Sequence, residues 1–448
     1  MDASGKLWGP QTDLAVGNFP IAGRPLDVRV AHALATIKRH AAAVNASLGV
    51  AGVTPAVAAA IAAAARRVES GELDEHFPID VYQTGSGTST NMNVNEVIAA
   101  LVRADIADVH PNDHVNASQS SNDTVPAAIR IGMARLLVDD VHPAVATLVA
   151  ALRDMAVRFA GVVKSGRTHL MDATPVTLGQ EADAWAGMLA GALARSAADV
   201  AVLGELPLGG TAVGTGINTP DGFAVAVIAS LAAETGMPLR PSPNPMVQQG
   251  GQVALAEASA GLRGIAVALT KIANDIRLLA SGPSAGLAEL LLPELQAGSS
   301  IMPGKVNPVL CESVNQVAAR VFGNDATVTF GASQGILELN TYLPVMADAL
   351  FESGTLLANV CRLFADKCVA GIEADEARCR SYAERSSAIA TALNPIIGYA
   401  RAAAIVHRAL DERRSIIDLV VEEGVLPEAE AREVLDPMRL TGSLHPST

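Results

Sequence analysis

Aromatic residues make up only 3% of this chain, although half of it is apolar. Rings therefore cannot fill the interior, which is left to Ala, Leu and Val, as in the Ala-rich run from Ala58 to Ala65. Closely packed helices follow. Cysteine is scarce too. Cys311, Cys361, Cys368 and Cys379 form no C-x-x-C pair and lie in apolar surroundings. This excludes a disulfide framework and points to reduced, buried thiols. Between Met1 and Pro10 no basic stretch precedes an apolar run, so no export signal is read. A soluble, cytoplasmic protein without a membrane partner is expected. Positive charge is in deficit, with a net charge of −14. Long-range repulsion then opposes nucleic acid and anionic membranes as partners, and an anionic substrate would need a local cationic pocket.

Period-two runs of β-branched residues are scarce, so low strand content and an all-α fold are expected. Helical periodicity is what the chain does contain. Leu255, Leu262, Leu269 and Ile276 recur every seven residues, interleaved with Ala258, Ile265, Ile272 and Leu279. That seam predicts a helix over 253–281, stopped by Gly282-Pro283. Leu148, Leu152, Met155, Phe159 and Val162 mark a partner helix, with Pro143 in a tolerated first-turn position. Further helical patterns cover 29–48, 177–202, 308–323 and 345–370. Polar, Gly-rich or Ser-rich stretches separate them at 83–95, 110–124, 165–175, 207–222 and 296–308.

A length of 448 residues exceeds one ordinary core. Three regions are expected: an N-terminal helical domain over 1–119, a central long-helix bundle over 120–376, and a small C-terminal helical domain over 377–448. The two long seams offer more apolar surface than one chain's bundle covers, which predicts a homotetramer.

The most informative loop is Gly298-Ser-Ser-Ile-Met-Pro-Gly-Lys-Val-Asn-Pro308. Backbone N–H groups at a helix start and the Lys305 ammonium can hold a carboxylate, and the Asn307 amide can orient it. His110 and His114 have i, i+4 spacing, but Pro111 interrupts helical geometry and no third ligand stands nearby, so no metal is expected. Gly85-Ser-Gly87 and the glycines of 209–216 do not follow a strand with an acidic residue about twenty positions on. No nucleotide or other cofactor is expected.

The Gly298–Pro308 string closely resembles the signature of the fumarase/aspartase superfamily. Four further segments resemble it in the same order: Thr84–Glu96, His110–Asn116 with Ser118–Asp123, Gly166–Asp172, and Leu208–Gly216. Thr168-His169 is the version seen in class II fumarases, where aspartases usually carry Gln. Ser120-Ser121-Asn122, Leu208-Gly209-Gly210 and Thr391–Pro395 agree with that branch. Departures fall at 241–250, at Ile396 and at Ala400-Arg401, and could reshape the pocket rim for a substituted fumarate.

The resemblance implies a three-domain fold that tetramerises into a multi-helix core, with active sites shared by three subunits. It also implies a small four-carbon dicarboxylate substrate and reversible hydration of fumarate to L-malate through an aci-carboxylate intermediate. Ser299 would be the base, Lys305 and Asn307 would hold the carboxylate that gains charge, and His169, oriented by Glu312, would serve the C–O step. Ser86, Thr88, Ser120, Ser121, Asn122 and Thr168 would supply short polar ligands to the substrate. His110, Asn112 and Asp113 match a second, outer dicarboxylate site. The alternative within the superfamily is an ammonia-lyase acting on aspartate or an N-substituted aspartate.

Overall fold

A computed structural model of the chain describes residues 5–442. The extreme ends of the first and last expected regions, 1–4 and 443–448, lie outside the described residues. The fold is all-α. Its first half contains α1 (Pro10–Asn18), α2 (Arg29–Ser47), α3 (Pro55–Glu69), α4 (Thr88–Val102), α5 (Ser121–Leu136), α6 (His142–Arg158), α7 (Leu178–Leu203) and α8 (Phe223–Thr235). Then come α9 (Pro245–Gly250), α10 (Val253–Leu279), α11 (Val309–Ala332) and α12 (Leu343–Lys367). The chain closes with α13 (Glu376–Arg385), α14 (Asn394–Ile397), α15 (Tyr399–Glu412), α16 (Ile416–Glu422) and α17 (Glu428–Val434). The sheets among the described residues are two-stranded. β1 (Val163–Thr168) pairs with β2 (Met171–Thr177), β3 (Glu205–Leu206) with β4 (Arg240–Pro241), and β5 (Leu290–Leu291) with β6 (Glu373–Ala374).

The heptad seam behaves as its spacing requires. Leu255, Ala258, Leu262, Ile265, Leu269, Ile272, Ile276 and Leu279 of α10 are all buried. The helix ends at Leu279, just ahead of Gly282-Pro283. In α6 Leu148, Leu152 and Met155 are buried, followed by Phe159 and Val162 just beyond its end. All four cysteines are free and buried. Both α7 and α10 are long and apolar enough to cross a bilayer by length and composition, yet 28% and 50% of their most apolar windows are already buried within the chain.

Two compact units emerge, and their limits fall inside long helices. The first comprises 1–143, 192–266 and 317–358, and the second 144–191, 267–316 and 359–448. In the first, α2 packs against α3, α5 and α8, and α4 against α1 and α3. In the second, the β1–β2 hairpin packs against α13. The C-terminal helices of that unit enclose a core of their own, including Ile389, Leu393, Ile405, Leu419, Val420 and Leu435.

Three stretches read as connectors are structured. Within 83–95 the helix α4 begins at Thr88, because its Asn side chains are buried and bonded rather than solvated; Asn93 donates to the His76 carbonyl at 3.0 Å. Within 110–124 Pro111 does not break a helix but opens a turn of wide helix, Pro111–Val115, where its missing N–H costs nothing. Within 165–175 lie most of β1 and β2, whose two-residue turn, His169-Leu170, carries no glycine signal.

A buried carboxylate anchors α1. Glu96 on α4 accepts from the N–H groups of Gly9, Gln11 and Thr12 at 3.0, 3.0 and 3.1 Å and from the Thr12 hydroxyl at 2.6 Å. It satisfies the orphan donors of that helix start and complements its dipole. Glu96→Ala should cost about 3 kcal/mol, since charge-assisted bonds are lost and buried donors are left unpaired. Hydrogen exchange of residues 9–18 should accelerate while α10 stays protected; unchanged exchange at 9–18 would disprove the anchor.

Candidate active site

In the first unit two helix N-termini converge. Thr88 is the first residue of α4 and Ser121 the first of α5, and their hydroxyl oxygens lie 2.8 Å apart. Ser86 Oγ is 2.8 Å from Thr88 Oγ1, which completes a chain of three half-buried hydroxyls. Aligned peptide dipoles give each helix start positive potential, so this point suits an anion. Gly87 makes the approach feasible. Its φ is +73°, and a Cβ there would sit 2.7 Å from Val125 Cγ1.

The α5 start is locked in place. Ser120 Oγ accepts from the Asn122 N–H at 3.2 Å, and Asp123 Oδ1 accepts from the Ser120 N–H at 2.9 Å, which is a capping box. Asp123 Oδ2 also accepts from Gly209 N–H at 3.1 Å and Thr211 N–H at 2.9 Å. Asn122 Nδ2 donates to the Ala212 carbonyl at 2.9 Å. The glycine loop 208–216 is thereby stitched to the Ser120–Asn122 turn.

Behind this turn, Lys38 is fully buried and donates to Asn116 Oδ1 at 3.1 Å. Burial pushes the Asp123 carboxyl up to about 6, with hydrogen bonds from Ser120, Thr211 and Gly209 and the Lys38 charge opposing. Burial pushes the Lys38 ammonium down to about 7 against the attraction of Asp123. Neither residue was singled out from sequence. The S-x-x-D spacing of Ser120 and Asp123 and a lysine inside the apolar run of α2 were the available signals.

In the second unit His169 and Leu170 form the tip of the β1–β2 hairpin, both with left-handed backbone, φ +54° and +61°. A two-residue turn of this hand matches strand twist, but it strains a leucine. Thr168 and His169 are exposed at the tip. The hairpin stem is fixed by charge: Arg167 makes a two-pronged pair with fully buried Glu289 at 2.7 and 3.0 Å. Buried Lys164 reaches Glu289 at 3.3 Å and Glu181 at 2.9 Å. The Arg167 guanidinium also lies 5.9 Å from the Tyr382 ring centre. This ionic cluster beneath the tip was not read from sequence, because its members are far apart along the chain.

The loop 298–308 belongs to the same unit and is closed at its neck. Gly298 N–H donates to the Lys305 carbonyl at 3.0 Å, and Asn307 Nδ2 donates to the Gly298 carbonyl at 2.8 Å. Ser299 Oγ accepts from the N–H groups of Ile301 at 3.2 Å and Met302 at 3.1 Å. Two donors on one hydroxyl oxygen favour its anionic form and thus its use as a base. The Lys305 side chain is exposed, as is Glu312 in the first turn of α11. Within one chain no hydrogen bond joins His169 to Glu312.

His110, Asn112 and Asp113 meet on the Pro111–Val115 turn. His110 Nδ1 accepts from the Asn112 N–H at 3.3 Å and lies 3.3 Å from Asp113 Oδ2. His110 and Asn112, but not Asp113, border a cavity of about 410 Å³ that also presents Lys6 and Arg103. His114 Nδ1 accepts the His110 N–H at 2.9 Å, so that nitrogen serves the turn. Among the described residues no three His, Cys, Asp or Glu side chains cluster as a metal site would require.

The helical fold, the serine loop and the histidine hairpin define a lyase of the all-α kind. A family model described as "Lyase" matches residues 1–323, and one described as "Fumarase C C-terminus" matches 389–442. The chain is 52% identical over 431 residues to fumarate hydratase class II of Mycobacterium tuberculosis, covering 96% of this chain and 90% of that one. Against the Halobacterium salinarum protein of the same name it is 50% identical, covering 97% and 93%. The crystal structure of class II fumarase from Schistosoma mansoni matches with a TM-score of 0.95 at 36% identity, covering 98% of this chain and 96% of that one. The chain belongs to the class II fumarate hydratase family.

The neck of the serine loop has no space for a side chain. A Cβ on Gly298 would lie 2.1 Å from the Lys305 carbonyl oxygen and 2.8 Å from its carbon. Gly298→Ala should open the loop and lower kcat/KM by roughly 10²-fold, the scale of an ångström-level misplacement of reacting groups. The melting temperature should barely move because the loop is largely exposed; wild-type kinetics in this variant would contradict the assigned neck.

Proposed function

We propose that this chain adds water reversibly to fumarate, giving L-malate, and that the site residues act as follows. In the dehydration direction Ser299 removes a C3 proton of malate, and the electron pair moves into the adjacent carboxylate as an aci-carboxylate. Lys305 and the second N–H of Asn307 stabilise that added charge. His169 then protonates the departing C2 hydroxyl, which leaves as water while the double bond forms. Glu312 orients His169. Ser86, Thr88, Ser120, Ser121, Asn122 and Thr168 hold the substrate carboxylates with short hydroxyl and amide donors, which suit a small diacid. The observation that carries the reading is the pair of backbone N–H donors on Ser299 Oγ. It supplies what a serine needs to serve as a base.

Ser299→Ala deletes the base and leaves Lys305 and Asn307 in place. Its kcat should fall by roughly 10²–10⁴, the usual contribution of a positioned base, with inhibitor affinity for a dicarboxylate nearly unchanged. Exchange of the C3 proton of malate with solvent should stop as well. Exchange at the wild-type rate would overturn the role of Ser299, and turnover of L-aspartate in place of malate would overturn hydration in favour of amine elimination.

We also propose a cytoplasmic homotetramer whose active sites draw on three subunits. This accounts for the exposure of Thr168, His169, Lys305 and Glu312 in one chain, and for the apolar window of α7 of which only 28% is buried. The three regions 1–119, 120–376 and 377–448 are proposed with it, the last supported by its separate core. His110, Asn112 and Asp113 are the proposed second dicarboxylate site. Light scattering at micromolar concentration should give four times the 45.9 kDa chain mass; a monomer that retains full activity would refute the sharing of sites.

A further inference from the structure

The C-terminal helices hold a cavity of about 920 Å³ that none of the proposed substrate or catalytic residues borders. Six arginines line it, Arg380, Arg385, Arg413, Arg414, Arg432 and Arg439, against three carboxylates, Glu384, Glu433 and Asp436. Three further carboxylates, Glu412, Glu422 and Glu428, pair with these arginines from beyond the lining, so six charges of each sign meet here. Four of the arginines are engaged at the rim: Arg380 pairs with Glu384 and Asp436, Arg414 with Glu412 and Glu422, Arg432 with Glu428, and Arg439 with Glu433.

Among the described residues Arg385 and Arg413 have no carboxylate partner. The Nε of Arg385 donates to the Ser381 carbonyl at 3.2 Å, and its guanidinium lies 5.5 Å from the Tyr382 ring centre, which holds the side chain in place. Arg413 ends α15 with left-handed backbone, φ +54°. Glycine is the favoured residue at such a helix end, so an arginine there sets backbone strain against a charge at the cavity. The opposite character is also present, since Ile389, Leu410, Ile416 and Leu435 contribute an apolar wall.

From this arrangement we infer that the C-terminal domain carries a further ligand site, for an organic oligophosphate of the nucleoside di- or triphosphate class. Guanidinium groups free of carboxylate partners match phosphate oxygens in fork geometry. The volume is within the range of drug-sized ligand pockets and exceeds the need of a four-carbon diacid. The apolar wall gives the nucleoside a surface that inorganic phosphate could not use.

The test is calorimetric titration of the full-length enzyme with ATP, and separately with inorganic triphosphate and malate, at two salt concentrations. ATP should bind saturably, more weakly at high salt because the attraction is electrostatic, and more tightly than inorganic triphosphate. Arg385→Ala/Arg413→Ala should bind ATP at least about tenfold more weakly. Its malate turnover without ATP should stay at the wild-type level, which shows the variant folded and the active site intact. Absence of saturable ATP binding to the wild type, or equal affinity in the double variant, would overturn the site. Inorganic triphosphate binding as tightly as ATP would overturn the organic ligand. If the double variant fails to fold, Arg413→Gly, which relieves the backbone, replaces it, and unchanged ATP affinity in that variant counts against the site equally.

Discussion

One buried carboxylate, Asp123, accepts backbone N–H groups from both its own helix start and a loop 86 residues further along the chain. Removing a carboxylate from water costs several kcal/mol, and only charge-assisted bonds of good geometry offset that cost. The solution recurs wherever irregular backbone must be held still. Asp80 gathers the N–H groups of Ile21, Ala22 and Gly23 at 3.3, 2.8 and 2.9 Å. Glu96 gathers the start of α1, and Glu289 takes both prongs of Arg167. A chain with few aromatic residues cannot wedge its loops with rings, so point charges in a helical scaffold hold them instead.

The same economy of means explains how an acidic protein presents local positive potential. The converging starts of α4 and α5 contribute partial charges from backbone, not from side chains, and these are effective only within a turn of the helix end. A net charge of −14 spread over the surface is screened beyond roughly 10 Å at ordinary ionic strength, whereas helix starts and hydroxyls act at contact. Ser and Thr hydroxyls enclose a small volume, and the hydroxyl chain from Ser86 to Ser121 fixes their directions.

Part of the loop structure was legible in the residues. The Gly298–Pro308 composition marked a loop ahead of a helix, and its neck is closed by Gly298, Lys305 and Asn307, all within that string. The second task of Asn307 was not legible, because its bond to Gly298 depends on how the loop returns on itself. The hairpin carrying His169 was read as a connector, since two left-handed residues without glycine leave no turn signature. Pro111, read as a breaker, instead begins a turn, because a proline disrupts only the positions whose N–H a helix needs.

Sequence by itself determined the helices and their buried faces. The heptad seam of α10 and the stripe of α6 depend on residues three and four apart, and such spacing is a property of the local chain. It also determined which residue types are available for proton transfer and anion binding. Only the tertiary structure decided which of them meet. Arg167 finds Glu289 across 122 positions, and Lys38 finds Asn116 across 78. Likewise Arg385 and Arg413 come to line one cavity through the packing of the C-terminal helices, without a carboxylate partner among the described residues. The reason is physical: periodicity is set by neighbours in the chain, whereas the partner of a buried charge is set by whatever the fold leaves within about 3 Å of it.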